Sequence, residues 1–463
     1  MQKENRSVST TLGSEKISTL LIQYATPAIA GMTAASLYNV VDSIFIGHGV
    51  GALGISGLAL TFPIMNMAAA FGSLVGVGAS TLLSIKLGQK DYEGAHRILG
   101  QEIVLNICTG VIFGILCLLY LDSILYFFGA SEATIGYARE YMQIILIGNT
   151  VTHLFFGQNA ILRSSGFPRK AMYATLFSVF INIALNPIFI FALDWGIRGA
   201  AVATILSQLL ALAYQCVHFS NRSHLVHFRR GIYKLKGTMV KEIFSIGMSP
   251  FLMNLCSCLI VILINRNMKT HGGDLAIGAY GIVNRIATLF VMVIMGLNQG
   301  MQPIAGFNYG AKLQGRVIEV TKLTMIWAVG ISTTGWLLCE LFPSAIARIF
   351  TTDAELTALA VYGLRVTFLV FPVVGYQMVT GNFFLSIGMA RKSIFLSLTR
   401  QMIFLVPFLL TLPHWLGATG VWLSMPLADF IGVLVAVRML LVQFRRMRRN
   451  VLEKNLEEKV SKR

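Results

Sequence analysis

The chain is long and strongly apolar. It has 463 residues, of which 55% are hydrophobic and 12% are charged, and its mean hydropathy is +0.70. The charged share is about half that of soluble globular domains. Apolar segments of about 18 residues or more, each long enough to cross a bilayer as a helix, recur from end to end. The composition therefore excludes a soluble domain and predicts an all-α polytopic membrane protein.

Twelve membrane-spanning helices are predicted in chain order. The first begins near Ile17, contains Pro27 and carries Asp42 close to its end. An unpaired carboxylate is costly in such an apolar stretch, so Asp42 needs an explanation. The predicted spans are 17–45, 54–82, 98–121, 137–159, 170–193, 197–219, 241–265, 276–303, 319–342, 358–384, 393–412 and 418–441.

The basic residues predict the orientation of the chain. The net charge is +17, yet 28 of the 37 Lys and Arg residues lie at the two ends and in alternate loops between the predicted spans. These segments share one side of the membrane if both termini are cytoplasmic, as the positive-inside rule requires. The pattern predicts a bacterial cytoplasmic-membrane protein with cytoplasmic N- and C-termini, and it argues against a nucleic-acid partner.

The second half of the sequence repeats the first at a nearly constant offset. "GVGASTLLSIKLGQK" (76–90) runs parallel to "NQGMQPIAGFNYGAK" (298–312), and "SSGFPRK" (164–170) matches "SIGMARK" (386–392). A repeat of six spans, an even number, brings both halves into the membrane from the same side. The halves are therefore expected to be related by a pseudo-two-fold axis along the membrane normal, with a substrate cavity between them.

This duplication predicts four parts of the chain. The N-terminal six-helix lobe covers 1–219, and the C-terminal six-helix lobe covers 242–441. A cytoplasmic linker at 220–241 joins the lobes, and a basic cytoplasmic tail follows at 442–463. Because the two lobes already supply a complete pathway in one chain, we expect a monomer in the lipid bilayer.

Polar side chains lie on three predicted spans of the first half. Tyr38 and Asn39 precede Asp42 by four and three residues and share its helix face. Two further polar stripes consist of Ser178, Asn182 and Asn186, and of Thr204 and Gln208. Hydrogen bonds between helices are the ordinary explanation for the amides and hydroxyls. They explain an aspartate poorly, because an ionisable residue inside a membrane usually has a function.

The repeat provides an internal comparison for the aspartate. When the two halves are aligned, Asp42 corresponds to Asn265, so only the first half has a carboxylate there. A partly desolvated aspartate beside oxygen-bearing side chains can exchange a proton. The same oxygens can also coordinate a hard cation such as Na⁺. Asp42 is therefore predicted to couple an ion to the function of the protein.

Several of these motifs together resemble the multidrug and toxic compound extrusion (MATE) transporters. The resemblance rests on "LYNVVDSIFIG" (37–47), "GVGASTLLSIKLGQKD" (76–91), "QPIAGFNYGAK" (302–312) and "NPIFIF" (186–191). It implies a MATE fold of twelve helices in two six-helix lobes. Such proteins export organic cations and amphipathic drugs against an inward flow of H⁺ or Na⁺. They are not enzymes, and they need no cofactor apart from the coupling ion.

The resemblance also implies roles for single residues. Asp42 matches the aspartate linked to cation coupling in the family, and Asn182 and Thr204 match positions of the ion site in the first lobe. Asn186 departs from the family pattern, since "NIALNP" stands where an aspartate often precedes the proline. The loss of this carboxylate makes a Na⁺ site less favourable and leaves proton coupling as the simpler option. The chain looks closest to the DinF-like bacterial branch.

The remaining predictions concern a hinge, an ion pair and a cavity. Pro27 removes a backbone hydrogen bond and favours a kink, either static or acting as a hinge. Arg400 and Asp429 lie at comparable depth on neighbouring spans, so we expect a structural ion pair. The candidate substrate cavity, for small cationic or amphipathic molecules, comprises Phe62, Met65, Met253, Arg285, Met292 and Met295. Glu102 and Asp122 lie near predicted span ends, where we expect solvated charges.

Other functions fit the same residues less well. A flippase or exporter of lipid-linked or metabolite cargo is the alternative within transport, and it predicts a strongly cationic cavity. Only Arg285 and Arg400 are basic and deep within the predicted spans. An intramembrane enzyme is disfavoured, because the sequence has neither HExxH nor a serine nucleophile motif. No P-loop is present, and the six cysteines show no metal-ligand spacing.

Overall fold

The chain is helical throughout the part that its structure describes. This computed structural model describes residues 11–461, except the side chains of Asn39, Val40, Ala52, Asp274 and 454–461. No β-strand occurs between residues 11 and 461. The all-α prediction is therefore confirmed for this range.

The helices of the first half are numbered α1 to α8. Their bounds are Ile17–Val50 (α1), Ala52–Gly88 (α2), Tyr92–Leu119 (α3), Leu121–Phe127 (α4), Ile135–Ile147 (α5), Asn149–Ser164 (α6), Pro168–Pro187 (α7) and Gly196–Ser220 (α8). A short π-helix, Ile188–Ala192, continues α7. Asp91 caps α3 by accepting from the backbone N–H of Gly94 at 2.9 Å, and this bond and nearby Lys86 lower the pKa of its carboxyl.

The helices of the second half are numbered α9 to α17. Their bounds are Gly237–Gly273 (α9), Leu275–Gly310 (α10), Gln314–Leu341 (α11), Pro343–Arg348 (α12), Ala354–Phe368 (α13), Phe371–Ser386 (α14), Ala390–Leu398 (α15), Val406–Leu416 (α16) and Ala418–Ser461 (α17). A π-helix, Thr399–Leu405, joins α15 to α16. Gly273, with φ 71°, separates α9 from α10, because its left-handed backbone breaks the helix.

Ten helices within residues 11–461 are long and apolar enough to cross a membrane, and the number rises to eleven if α13 and α14, which are bent by 51°, are counted as one span. The span predicted at 137–159 corresponds to α5 and α6, which are individually too short. α6 lies at the position of α14 in the repeat, since Asn149 aligns with Phe371 and Ser164 aligns with Ser386. The count of twelve spans therefore depends on counting α5 with α6 as one broken span.

The duplication is visible in where helices begin and where the backbone turns. α3 and α11 begin and end at equivalent positions of the repeat. Lys90 and Lys312, which close the paired Gly-x-Lys loops, share an uncommon left-handed backbone with φ of 62° and 60°. Gly166 and Gly388 are a second equivalent pair, with φ of 98° and 73°. The two halves therefore share their turns as well as their sequence motifs.

The chain divides into two compact units. The first unit contains Thr26–Asn254, and the second contains Glu15–Ala25 and Leu255 onward. The start of α1 thus belongs to the second unit, and the start of α9 belongs to the first. Pro27 lies directly after the point where α1 passes from one unit to the other. The division into six-helix lobes at 1–219 and 242–441, with a linker and a tail, remains a prediction.

Glycines allow very close backbone contact inside each unit. In the first unit, a Cβ on Gly247 of α9 would lie 1.8 Å from the carbonyl oxygen of Leu74 on α2. In the second unit, a Cβ on Gly300 of α10 would lie 2.6 Å from the Cα atom of Ala25 on α1. Small residues permit this approach where packing, rather than hydrophobicity, holds membrane helices together.

We expect Gly247→Ala to destabilise the protein by about 1–3 kcal/mol, because the added methyl group must displace the α2 backbone. Gly281→Ala is the matched control, since no atom lies within 4 Å of a Cβ built at Gly281. That control should be neutral or stabilising by up to about 1 kcal/mol. Thermal unfolding of both variants in detergent measures the difference. Equal unfolding midpoints would contradict the close contact between α2 and α9.

Candidate functional site

Asp42 is buried on α1 with a neutral partner. Its side chain is 5% exposed, and its Oδ1 accepts a hydrogen bond from Nδ2 of Asn186 on α7 at 2.9 Å. Within the described part of the chain, no basic side chain forms an ion pair with Asp42. A charge in such a place is costly unless something neutralises it.

A chain of hydrogen bonds extends from Asp42 across three helices. Asn186 donates to Oδ1 of Asn182 at 2.8 Å. Asn182 donates in turn to the hydroxyls of Thr204 at 3.3 Å and Tyr38 at 3.5 Å. The hydroxyls of Tyr38 and Thr204 lie 2.8 Å apart. α1, α7 and α8 are therefore joined by one polar network, which we call the Asp42 network.

The local sequence explains how α7 presents both amides. Asn182 and Asn186 lie one turn apart and so share a face. Pro187 follows at once and cannot donate a backbone hydrogen bond. The helix widens there into the π-helix Ile188–Ala192, where the N–H of Leu193 bonds the carbonyl of Ile188 at 2.9 Å. Single π-turns of this kind often accompany functional sites.

Tyr141 was not identified from the sequence. It lies on α5, is 2% exposed and places its hydroxyl beside that of Thr204, close to Asp42. These neighbours come from α8 and α1, which are distant from α5 in the chain, so no local spacing points to Tyr141. The side chain of Asn39, which was predicted to belong to the site, lies outside the described residues.

The donor set of the Asp42 network consists of oxygen atoms and amides. The Oδ1 atom of Asn186 is buried and has no hydrogen-bond partner. The N and O atoms of a side-chain amide are assigned from the hydrogen-bond network around them. A carboxylate, amide oxygens and hydroxyls suit a proton or a hard monovalent cation. By its chemistry, the arrangement is therefore suited to hold a proton or such a cation at Asp42.

The candidate cavity residues are spread over both units. Phe62 and Met253 are 48% and 39% exposed in the first unit, and Met295 is 42% exposed in the second. Met65 packs against the apolar core of the first unit instead. Met292 is half-buried, while Arg285, predicted to lie deep, is exposed. Their contact with cargo remains a prediction.

Arg400 and Asp429 form an ion pair in the second unit. Asp429 is buried, and Arg400 lies in the π-helix Thr399–Leu405. The equivalent positions in the first half of the repeat are Ser178 and Ser207, whose hydroxyls lie 3.5 Å apart. The same contact between two helices is thus made by hydroxyls in one half and by charges in the other.

The expectation of a solvated Glu102 is wrong. Asp122 is exposed and accepts two hydrogen bonds from Arg139, as a charge near a span end should. Glu102 is completely buried on α3. The reason is that α3 begins at Tyr92, well before the predicted start of that span at residue 98, and this places Glu102 inside the first unit.

The fold and the Asp42 network define a polytopic membrane protein built from two repeats, with a buried carboxylate in the first. The MatE family model matches residues 27–188 and 246–411, one stretch in each half and together more than two thirds of the chain. The chain belongs to the MatE family, the MATE transporters, and is therefore a transporter rather than an enzyme.

The chain is similar to curated relatives over most of its length, and it shares its fold with a solved structure. The chain is 28% identical over 417 residues to the Multidrug export protein MepA of Staphylococcus haemolyticus, with 90% of this chain and 92% of that protein covered. The same protein of Staphylococcus aureus strain MSSA476 is 29% identical over 421 residues, with the same coverage. A crystal structure of MATE in the bent conformation is 24% identical and covers 96% of this chain and 98% of its own, with a TM-score of 0.90.

We expect Thr204→Val to destabilise the protein by about 1–3 kcal/mol, because it removes the hydroxyl that bonds Tyr38 and Asn182. Thr324→Val is the matched control. Thr324 is also buried, but its hydroxyl bonds only the carbonyl of Val320 on its own helix, at 2.7 Å. Thermal unfolding in detergent measures both variants. A loss at Thr204 no larger than that at Thr324 would contradict the bridging role.

We expect Asp429→Asn to cost about 3–5 kcal/mol of stability, because it leaves the charge of Arg400 unpaired. The double variant Arg400→Met/Asp429→Leu should recover most of that loss. Asp122→Asn is the control, since it breaks an exposed ion pair and should cost less than about 1 kcal/mol. Unfolding midpoints of the single and double variants test this. Additive losses would show that the pair is not a coupled unit.

Proposed function

We propose that the protein is a secondary active multidrug efflux transporter. It exports cationic or amphipathic organic compounds in exchange for H⁺, with Na⁺ as the alternative coupling ion. The two lobes alternate access to the two sides of the membrane, and Asp42 is the coupling carboxylate. The family assignment and the relatives named as multidrug export proteins support this proposal.

The observation that carries the proposal is the burial of Asp42 among neutral partners. A carboxylate held only for structure would be expected to have a basic partner, as Asp429 has in Arg400. Asp42 instead accepts a hydrogen bond from an amide. Its charge is therefore available for neutralisation by an ion that arrives and leaves during each transport cycle.

The Asp42 network suggests how binding of the ion reaches the helices. An ionised Asp42 accepts from Asn186, whereas a protonated Asp42 can donate to an amide oxygen. Each change of role reorients Asn186 and, through Asn182, the hydroxyls that join α1 to α8. Pro27 lies fifteen residues before Asp42, about 22 Å along the helix. It is proposed as the hinge where α1 responds.

The donor set favours H⁺ over Na⁺. A buried Na⁺ is best held by several oxygen ligands that carry formal charge. Here Asn186 occupies the position where a second carboxylate would add that charge, so Asp42 supplies the only formal charge in the Asp42 network. A proton needs one carboxyl oxygen and no coordination shell.

The remaining parts of the proposal concern cargo and setting. Exposed aromatic and methionine side chains such as Phe62, Met253 and Met295 suit lipophilic cations, because aromatic faces attract cations and methionine adapts its shape. The protein is proposed to act as a monomer in the cytoplasmic membrane of a bacterium, with both termini in the cytoplasm.

We expect Asp42→Asn to abolish ion-driven efflux while the protein still reaches the membrane. The variant keeps the shape of the side chain but cannot exchange a proton. Cells loaded with a fluorescent lipophilic cation report the efflux, with a pH gradient and a Na⁺ gradient imposed separately. Wild-type efflux should survive ATP depletion and stop when an uncoupler dissipates the proton gradient.

Two control variants separate coupling from folding. Asp42→Glu retains a titratable carboxyl and should keep part of the efflux, whereas Asp122→Asn removes an exposed carboxylate and should transport like the wild type. Unchanged transport by Asp42→Asn under both gradients would exclude Asp42 as the coupling residue. If the wild type moves no lipophilic cation, the cargo proposal fails, and lipid-linked or metabolite cargo becomes the better hypothesis.

A further inference from the structure

A second carboxyl group is buried in the first unit, and the Asp42 network does not include it. Glu102 on α3 has no exposed surface. Its Oε1 lies 2.6 Å from Nδ2 of Asn106, one turn later on α3, and its Oε2 lies 2.6 Å from Nε2 of Gln158 on α6. Both partners are neutral amides. Like Asp42, Glu102 has no ion pair within the described residues.

The titratable groups around Glu102 do not neutralise it. The thiol of Cys216 on α8 interacts with it, and an ionised thiol would only add negative charge. His153 on α6, about one turn before Gln158, bonds the carbonyl of Ala68 on α2 at 3.0 Å. Arg163 on α6 bonds Asn159. His96, near the start of α3, contacts His227. No cation from these helices reaches the carboxyl group.

One side of the Glu102 carboxyl group is closed by the backbone of α6. A Cβ built on Gly157 of α6 would lie 2.0 Å from Oε1 of Glu102 and 2.3 Å from Nδ2 of Asn106. The α6 backbone thus packs directly against the acid. A proton is the one cation that neutralises a carboxylate without occupying volume beside it.

The amides offer a place for the acid hydrogen. Oδ1 of Asn106 and Oε1 of Gln158 are both buried without a hydrogen-bond partner. The orientation of a side-chain amide is assigned from its hydrogen bonds. If either amide is turned so that its N and O exchange places, its oxygen faces the carboxyl group and accepts a hydrogen bond from the acid O–H.

The repeat shows that the fold does not require an acid at this position. The residue equivalent to Glu102 in the second half is Thr324 on α11, a helix whose bounds match those of α3. Thr324 is equally buried, and its hydroxyl bonds only its own helix. The first unit therefore keeps an acid where the second does without one.

We propose that Glu102, Asn106 and Gln158 form a second proton-binding site in the first unit, separate from the Asp42 network. Glu102 holds its proton at neutral pH, so the contact between α3 and α6 is made by a neutral acid. Ionisation would place an unpaired charge in the core of the unit and weaken this contact. The site is independent of cargo and of the role of Asp42.

Infrared spectroscopy of the purified full-length protein in lipid nanodiscs tests the proposal directly. A protonated carboxylic acid has a carbonyl band that an ionised carboxylate lacks. We expect the wild type at pH 7 to show such a band and Glu102→Gln to lose it. Glu93→Gln is the matched control on the same helix, because the Glu93 side chain is 70% exposed and forms an ion pair with Arg97, and its loss should leave the band unchanged. The carbonyl band of Glu102 should remain in the spectra of Asp42→Asn, and this distinguishes the two sites.

Thermal unfolding adds a second measurement that does not depend on transport. A group protonated only in the folded state contributes stability at low pH that is lost as the pH rises. We expect the unfolding midpoint of the wild type to fall more between pH 6 and pH 9 than that of Glu102→Gln. The difference should correspond to the ionisation of about one buried group. Identical carbonyl bands in wild type and Glu102→Gln would overturn the proposal. Restoration of alkaline stability by Na⁺ would also overturn it and indicate a sodium site.

Discussion

The organisation of this protein depends on the cost of placing a carboxyl group where water cannot reach it. Three acidic side chains are buried among the described residues, namely Asp42, Glu102 and Asp429. Asp429 is neutralised by Arg400, an internal cation. The other two have only amide partners. An internal cation fixes a charge permanently, whereas an amide leaves its neutralisation to an ion from outside.

The two halves of the repeat differ in how their buried acids are partnered: by a basic side chain in the second half and by amides in the first. The two halves share the bounds of α3 and α11 and the backbone conformation of their paired loops, as Lys90 and Lys312 show. The polar residues differ at equivalent positions, since Ser178 and Ser207 correspond to Arg400 and Asp429, and Glu102 corresponds to Thr324. The backbone of the fold therefore accepts either hydroxyl or charged side chains at these equivalent positions. Because the fold does not dictate these residues, they can differ between the halves for functional reasons.

The residues of the Asp42 network could be selected from the sequence because each helix presents its polar residues at helical spacing, while their role in ion coupling remains a prediction. Asn182 and Asn186 share a face of α7 by their separation alone, and only their meeting with Asp42 and Thr204 required tertiary structure. Tyr141 was missed because its neighbours are distant in sequence. Glu102 was misplaced because hydropathy marks the apolar centre of a span, whereas α3 extends into a polar first turn capped by Asp91. Helix ends are the least certain part of such predictions.

The second unit differs from the first in how its buried acid is neutralised. Its buried acid, among the described residues, is already paired, so its charge does not change when an external ion binds. In the first unit, Asp42 and Glu102 both accept from amides, but only Asp42 connects α1 with α7 and α8 through further bonds. The hydrogen bonds of Glu102 join α3 to one other helix, α6. Under the proposed mechanism, a change of charge at Asp42 alters the bonds that join α1, the helix that contains Pro27, to α7 and α8. A change of charge at Glu102 alters the contact between α3 and α6 instead.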